Sequence, residues 1–156
     1  MQPPDSTWYP DTGATHHMTS SPSNFQNQQP YQGNNSVFLG NGDSLSISHT
    51  GSLPLPLGSH KFSLQNVFCL PSLCTNLLSV ARFTRDNLVF FVFTLDFYQI
   101  YDLRTGSLLF HGPSKDGLYP LSLSSHSSTI PYALTTVHSP AWHHHLGHPS
   151  HLCYLI

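Results

Sequence analysis

Turn-forming residues recur at roughly ten-residue spacing along most of this chain, which leaves room for short strands and for little helix. The clearest of them is Asn41-Gly42 inside VFLGNGDSLSI, residues 37 to 47. Two short runs flank the dipeptide best suited to a tight hairpin turn. Gly51, Pro54 and Pro56 punctuate the next stretch, SHTGSLPLPLG. HKFSLQNVFCL, residues 60 to 70, alternates and then becomes continuously apolar, as a strand entering a core does, and Pro71 ends it. NLVFFVFTLDFYQIYDL predicts two strands with a turn near Asp96, and DLRTGSLLF a hairpin turning at Thr105-Gly106. GLYPL at 117 to 121 predicts a last short strand. One helix stands against this pattern, predicted over 76–86 in NLLSVARFTRD, with Asn76 as its cap. Residues 20 to 36 are polar and read as a long loop, and the Ser/Thr-rich residues 122 to 141 read as a linker. The expected fold is mostly β: a small barrel with one short helix, then a β-hairpin extension and a flexible His-rich tail.

Composition narrows the function classes. Charged residues make up only 8% of the chain, against about a quarter in an average protein. Five Lys and Arg against seven Asp leave a formal net charge of -2, which argues against a dedicated nucleic-acid surface. Twelve histidines add positive charge in mild acid. Cys69, Cys74 and Cys153 are odd in number and lack framework spacing, which favours a reducing, intracellular setting over a disulfide scaffold. No signal-peptide h-region is visible at the N-terminus. The longest apolar run, LVFFVFTL, is far short of the ~20 residues a membrane helix needs, so no membrane partner is expected.

WYPDTGATHHMT, residues 8 to 19, carries the chemistry. Asp11 is a turn residue or a catalytic carboxylate. As a catalyst it needs a partner: two carboxylates about 3 Å apart cannot both ionise, so one holds a proton as acid and the other acts as base. Gly13 lets the backbone approach the carboxylate, Thr12 offers a hydroxyl that can lock the loop, and Ala14 suits a crowded floor. As a surface turn, Asp-Thr-Gly is commonplace. The longer pattern Asp-[Ser/Thr]-Gly-Ala-[Ser/Thr] arises by chance in roughly one chain in a thousand of this length, from average residue usage. His16 and His17 follow directly. Adjacent strand residues point to opposite faces, so the two do not pair on one metal, and the simplest reading makes them ordinary turn or strand histidines.

The tail WHHHLGHPSHLCYLI is the second cluster. His143 and His148 have the spacing of half a tetrahedral zinc site, but the usual Cys pair does not follow.

These motifs resemble those of copia-type LTR retrotransposon Pol polyproteins. WYPDTGATHHMT looks like the active-site loop of their retroviral-like aspartic protease. VFLGNGDSLSISHTGSLPL is similar to the strand pair that follows it and includes the flap, here Asn41 and Gly42. LQNVFCLPSLCTNLLSVARFT resembles the family's strand, Pro-containing turn and Asn-Leu-Leu-Ser segment. The resemblance implies a retropepsin-like barrel, with Asp11, Thr12 and Gly13 catalytic, Ala14 in support, and Leu77 and Leu78 packed beneath the loop. Retroviral proteases have Gly after that pair, where this chain has Ser79. One Asp-Thr-Gly per chain implies a homodimer acting on a polyprotein substrate, with no metal or cofactor.

DLRTGSLLFHGPSKDGLYPL and the Trp-His-x-x-Leu-Gly-His-Pro-Ser run look like the GAG-pre-integrase segment leading into integrase. There His143 and His148 would be the histidine ligands of a zinc knuckle whose Cys half is absent, and nucleic acid would be met only through missing integrase portions. The implied organisation is a protease barrel over 1–95 and a GAG-pre-integrase-like segment over 96–156, truncated at the start of the integrase zinc motif. The alternatives are a non-enzymatic retrotransposon relic or β-barrel binding module, and a partial zinc or nucleic-acid module. Dimerisation separates the first from the protease, and zinc uptake through His143 and His148 would favour the second.

Overall fold

The computed structural model describes residues 7–38 and 42–122. Eleven strands and one helix are assigned among them. In chain order they are β1 (Trp8–Asp11), β2 (Met18–Thr19), β3 (Gln26–Pro30), β4 (Ser36–Phe38), β5 (Ser44–Ser46), β6 (His49–Leu57), β7 (His60–Cys69), β8 (Asn76–Ser79), α1 (Val80–Asn87), β9 (Val89–Phe93), β10 (Phe97–Asp102) and β11 (Leu108–Pro113). A six-stranded sheet runs in the order β1-β8-β2-β7-β6-β3, a three-stranded sheet in the order β11-β10-β9, and β4 pairs with β5 alone. The mostly-β expectation holds. Strand pairing closes no barrel among the described residues.

The longest hairpin, β6–β7, forms against the apparent punctuation of its prolines. Leu53, Leu55 and Leu57 alternate inward while Pro54 and Pro56 face solvent. β3 pairs with β6 only as far as Ser52, so the prolines sit where that edge of β6 has no neighbour and no donor is needed. The segment read as a loop over 20–36 supplies β3. Its five residues are all exposed, so no apolar alternation marked it as a strand.

The helix is shorter than predicted and starts later, at Val80 instead of Asn76. Asn76 does not cap it. The Thr19 hydroxyl donates to Asn76 Oδ1 at 2.7 Å, and Asn76 Nδ2 donates to Thr7 O at 3.1 Å, which binds Asn76 into the sheet. Ser79 is the cap, with its side chain accepting from Arg82 N. Leu88 ends the helix in the left-handed conformation, its N–H on Thr84 O. Asn87 ties α1 to β7, accepting from Ser63 N and donating to Ser63 O. Phe83 is fully buried and packs against Phe62 and Phe91 at ring distances of 5.2 and 5.4 Å.

Both larger sheets feed one core. Leu55, Leu57, Leu64, Leu78 and Phe83 share a cluster with Tyr98, Ile100, Phe110 and Leu121. The Tyr98 hydroxyl donates to Pro120 O at 2.9 Å. Trp8 and Leu121 exchange backbone hydrogen bonds at 2.9 and 2.8 Å. The division anticipated between residues 95 and 96 falls in the turn between β9 and β10, which are paired strands. The predicted hairpin at Thr105-Gly106 is β10–β11. The strand predicted at 117–121 reduces to isolated bridges, Lys115 with Leu118 and Trp8 with Leu121. No helix among the described residues is long and apolar enough to cross a membrane.

Candidate functional site

β8 lies between the two strands that flank the Asp11 loop. β1 runs parallel to it, with Asp11 opposite Ser79, and β2 is antiparallel on its other side, with Met18 opposite Leu77. Residues 12–17 must therefore cross over the end of β8 to pass from β1 to β2. Asp11 stands where the chain leaves the sheet. Its Oδ1 accepts from Gly13 N at 2.7 Å and from Ala14 N at 3.2 Å. Asp11 is thus a turn residue by its own hydrogen bonds, and the same bonds fix its carboxylate. A Cβ on residue 13 would lie 3.3 Å from Oδ1, so glycine permits the approach. No hydrogen bond reaches Asp11 Oδ2 among the described residues.

Ser79 holds the loop from below. Its hydroxyl donates to Ala14 O at 2.7 Å, and its backbone N–H donates to His17 Nδ1 at 3.2 Å. Thr12, the expected lock, is exposed and makes no hydrogen bond among the described residues. Within one chain, Ser79 does the locking that was expected of Thr12.

Arg82, one turn into α1, adds a second tie. Its Nε donates to Thr15 O at 2.6 Å and its guanidinium meets His16 Nε2 at 2.7 Å. The His16 ring stacks on Phe68 of β7, centroids 4.2 Å apart. His16 and His17 do face opposite ways: His16 lines the cleft and His17 is fully buried. Burial, then the Arg82 charge, lowers the His16 pKa. Burial, then Arg82 and His16, lowers that of His17 to about 4.

The cleft beside Asp11 encloses about 930 Å³. Asp11, Gly13, Ala14 and Leu77 form one side, and Asn34, Val37 and Phe38 approach from the β4 side. Leu78 points the other way and is fully buried in the core. The leucine pair is thus split by the strand pleat, one residue facing the cleft and one facing the core. The β4–β5 hairpin pairs Val37 with Leu45, and Gly42 has φ 91, a turn conformation that favours glycine. Asn41, the other expected flap residue, lies outside the described residues. So do His143 and His148.

Residues 8–88 match the family model described as Pol polyprotein, beta-barrel domain. The chain belongs to this family. The match takes in the Asp11 loop, the β4–β5 hairpin and α1, and so covers the site of this Pol β-barrel domain. The chain is also 39% identical over 146 residues to the retrovirus-related Pol polyprotein from transposon RE2 of Arabidopsis thaliana. That alignment covers 92% of this chain and 10% of the relative. The corresponding polyprotein from transposon RE1 of the same plant is 38% identical over 145 residues, with the same coverage. The chain therefore spans about a tenth of the length of these relatives, and it is a region of a retrotransposon Pol polyprotein. No solved structure matches it.

Ser79 and Arg82 escaped the sequence reading as site residues. Ser79 registered only as a departure from glycine, and Arg82 only as a helix position. One signal was available: Arg82 is among only five Lys and Arg side chains in the whole chain.

Proposed function

We propose that this Pol β-barrel domain is a copia-type aspartic endopeptidase that cleaves the polyprotein to which it belongs. The observation that carries the reading is the Asp11 carboxylate, fixed through Oδ1 by two backbone amides at the edge of a cleft flanked by a hairpin. A single carboxylate cannot serve at once as base and acid. The chain has one Asp-Thr-Gly, so the second carboxylate comes from Asp11 of another copy. In the homodimer the two share one proton. The ionised Asp11 takes a proton from water, the water oxygen attacks the peptide carbonyl, and the protonated Asp11 donates to the developing oxyanion. Collapse of the tetrahedral intermediate breaks the C–N bond as the amine leaves with a proton. The chemistry needs no metal or cofactor.

The test is cleavage of a diverse peptide pool by the purified chain, beside an Asp11→Asn control, with sedimentation to read the oligomeric state. Cleavage lost in the control, by a dimer, supports the reading. A monomer that cleaves nothing supports a non-enzymatic role for the domain.

A further inference from the structure

Each of the two histidines after the Asp11 loop is bonded through a nitrogen that must accept. The Arg82 guanidinium carries donors only, so its 2.7 Å contact makes His16 Nε2 an acceptor and leaves the ring proton on Nδ1, 3.1 Å from Thr15 Oγ1. The Ser79 backbone N–H also only donates, so His17 Nδ1 accepts and the proton lies on Nε2. Neighbouring residues thus hold opposite neutral tautomers. We propose that Arg82, His16 and His17 form an acid-sensitive clamp that positions the Asp11 loop only while both imidazoles are neutral.

Four elements present groups to the two rings, and His17 Nε2 is buried with no hydrogen-bond partner among the described residues. α1 presents Arg82 to both rings, and the loop presents His16 to His17. β7 presents the Phe68 ring, and β8 the Ser79 amide. Asp11 is the one carboxylate lining the cleft shared with His16, and its Oδ1 is occupied by the Gly13 and Ala14 amides. Protonating His16 removes the acceptor for Arg82 and sets two cations together. Protonating His17 removes the acceptor for Ser79 N–H and charges a buried ring. Both rings accordingly resist protonation below the ordinary imidazole range. Arg82, His16 and His17 are positioning residues, since each acts through the loop or its support: Arg82 on Thr15 O and His16, and His17 on the Ser79 N–H. The consequence for activity, a lower pH limit set by the clamp instead of the aspartate pair, rests on the protease reading. The clamp itself does not.

Nitrogen-15 NMR of the full chain, labelled at histidine, decides the matter without substrate. The expected spectrum has His16 protonated at Nδ1 and His17 at Nε2. His17 remains neutral at about pH 5.5, a unit below the usual imidazole value, and His16 titrates below the ordinary imidazole range. Arg82→Gln is expected to shift the His16 midpoint upward and to speed hydrogen exchange at the Gly13 and Ala14 amides severalfold. A proton on His16 Nε2, or wild-type rings that titrate with ordinary imidazoles, overturns the clamp. The wild-type tautomers decide even if the variant fails to fold. The expected tautomers in a chain that cleaves no peptide uphold the clamp and count against the protease reading. Cleavage with the wrong tautomers overturns the clamp alone.

Discussion

Ser79 donates its hydroxyl to the carbonyl of Ala14, so the strand that becomes α1 also carries the loop that holds Asp11. Ser79→Ala removes that bond and the helix cap together. Such losses cost about 1–3 kcal/mol. The expected result is a lower urea midpoint and faster amide exchange in residues 12–17. A change in the midpoint alone, with loop exchange untouched, would mean that Ser79 serves only the helix.

Asp11→Asn keeps an oxygen that can accept from Gly13 and Ala14. The fold is expected to survive, with stability within roughly 0.5 kcal/mol of wild type, as for a surface substitution that keeps its hydrogen bonds. Cleavage is expected to disappear. Urea unfolding and a peptide assay on one preparation check both halves.

Gly13→Ala sets a methyl group 3.3 Å from Asp11 Oδ1. The carboxylate must give by a few tenths of an ångström. A displacement that small leaves the unfolding midpoint nearly unchanged but disturbs a geometry-dependent reaction. Lower kcat at nearly constant stability is the expected outcome. Equal losses in both would assign Gly13 to the fold.

Stability should fall in mild acid, and the sign follows from His17. Folded, His17 takes its proton only near pH 4, whereas an unfolded imidazole takes it near 6.5. Between those values the unfolded chain binds the additional proton, so acid favours it. The contribution is intact above about pH 6.5 and declines toward pH 4, by up to about 3 kcal/mol. Urea midpoints across this window measure the slope. His17→Asn, with an acceptor but no titrating ring, is expected to flatten it.

Residues 96–122 should prove necessary for the fold of what precedes them. Tyr98, Ile100, Phe110 and Leu121 share the core with Leu55 and Leu64. A chain ended after Leu95 leaves that surface open, and each large buried side chain lost costs about 2–5 kcal/mol. Loss of cooperative unfolding in that shortened chain is the expected result. A sharp, native-like transition would show two independent units.

Much of this was written locally. β7 and the β10–β11 hairpin follow from alternation and turn residues, and Asn41-Gly42 announced the β4–β5 hairpin, whereas β6 was masked by Pro54 and Pro56, which suit its unpaired edge. The helix boundary was misread because Asn76 suits a cap and Leu77-Leu78 suits either period, and partners distant in sequence, Thr7 and Thr19, decided for a strand. β3 was hidden because an exposed edge strand needs no apolar face. Asp11 and Gly13 were legible because their hydrogen bonds are local. Ser79 and Arg82 were not, since their ties to Ala14 and Thr15 span 65 and 67 residues.

Those long spans govern timing as well as geometry. β8 is the middle strand of its group, yet it follows β1 and β2 by some sixty residues of chain. A polypeptide is made from its N-terminus, and contacts so distant in sequence form late. Asp11 therefore emerges early and stays unsupported until Ser79 and Arg82 have followed it. If the domain cuts the polyprotein that contains it, this ordering is a built-in delay: the carboxylate is made near the start of the domain, but its support comes near the end.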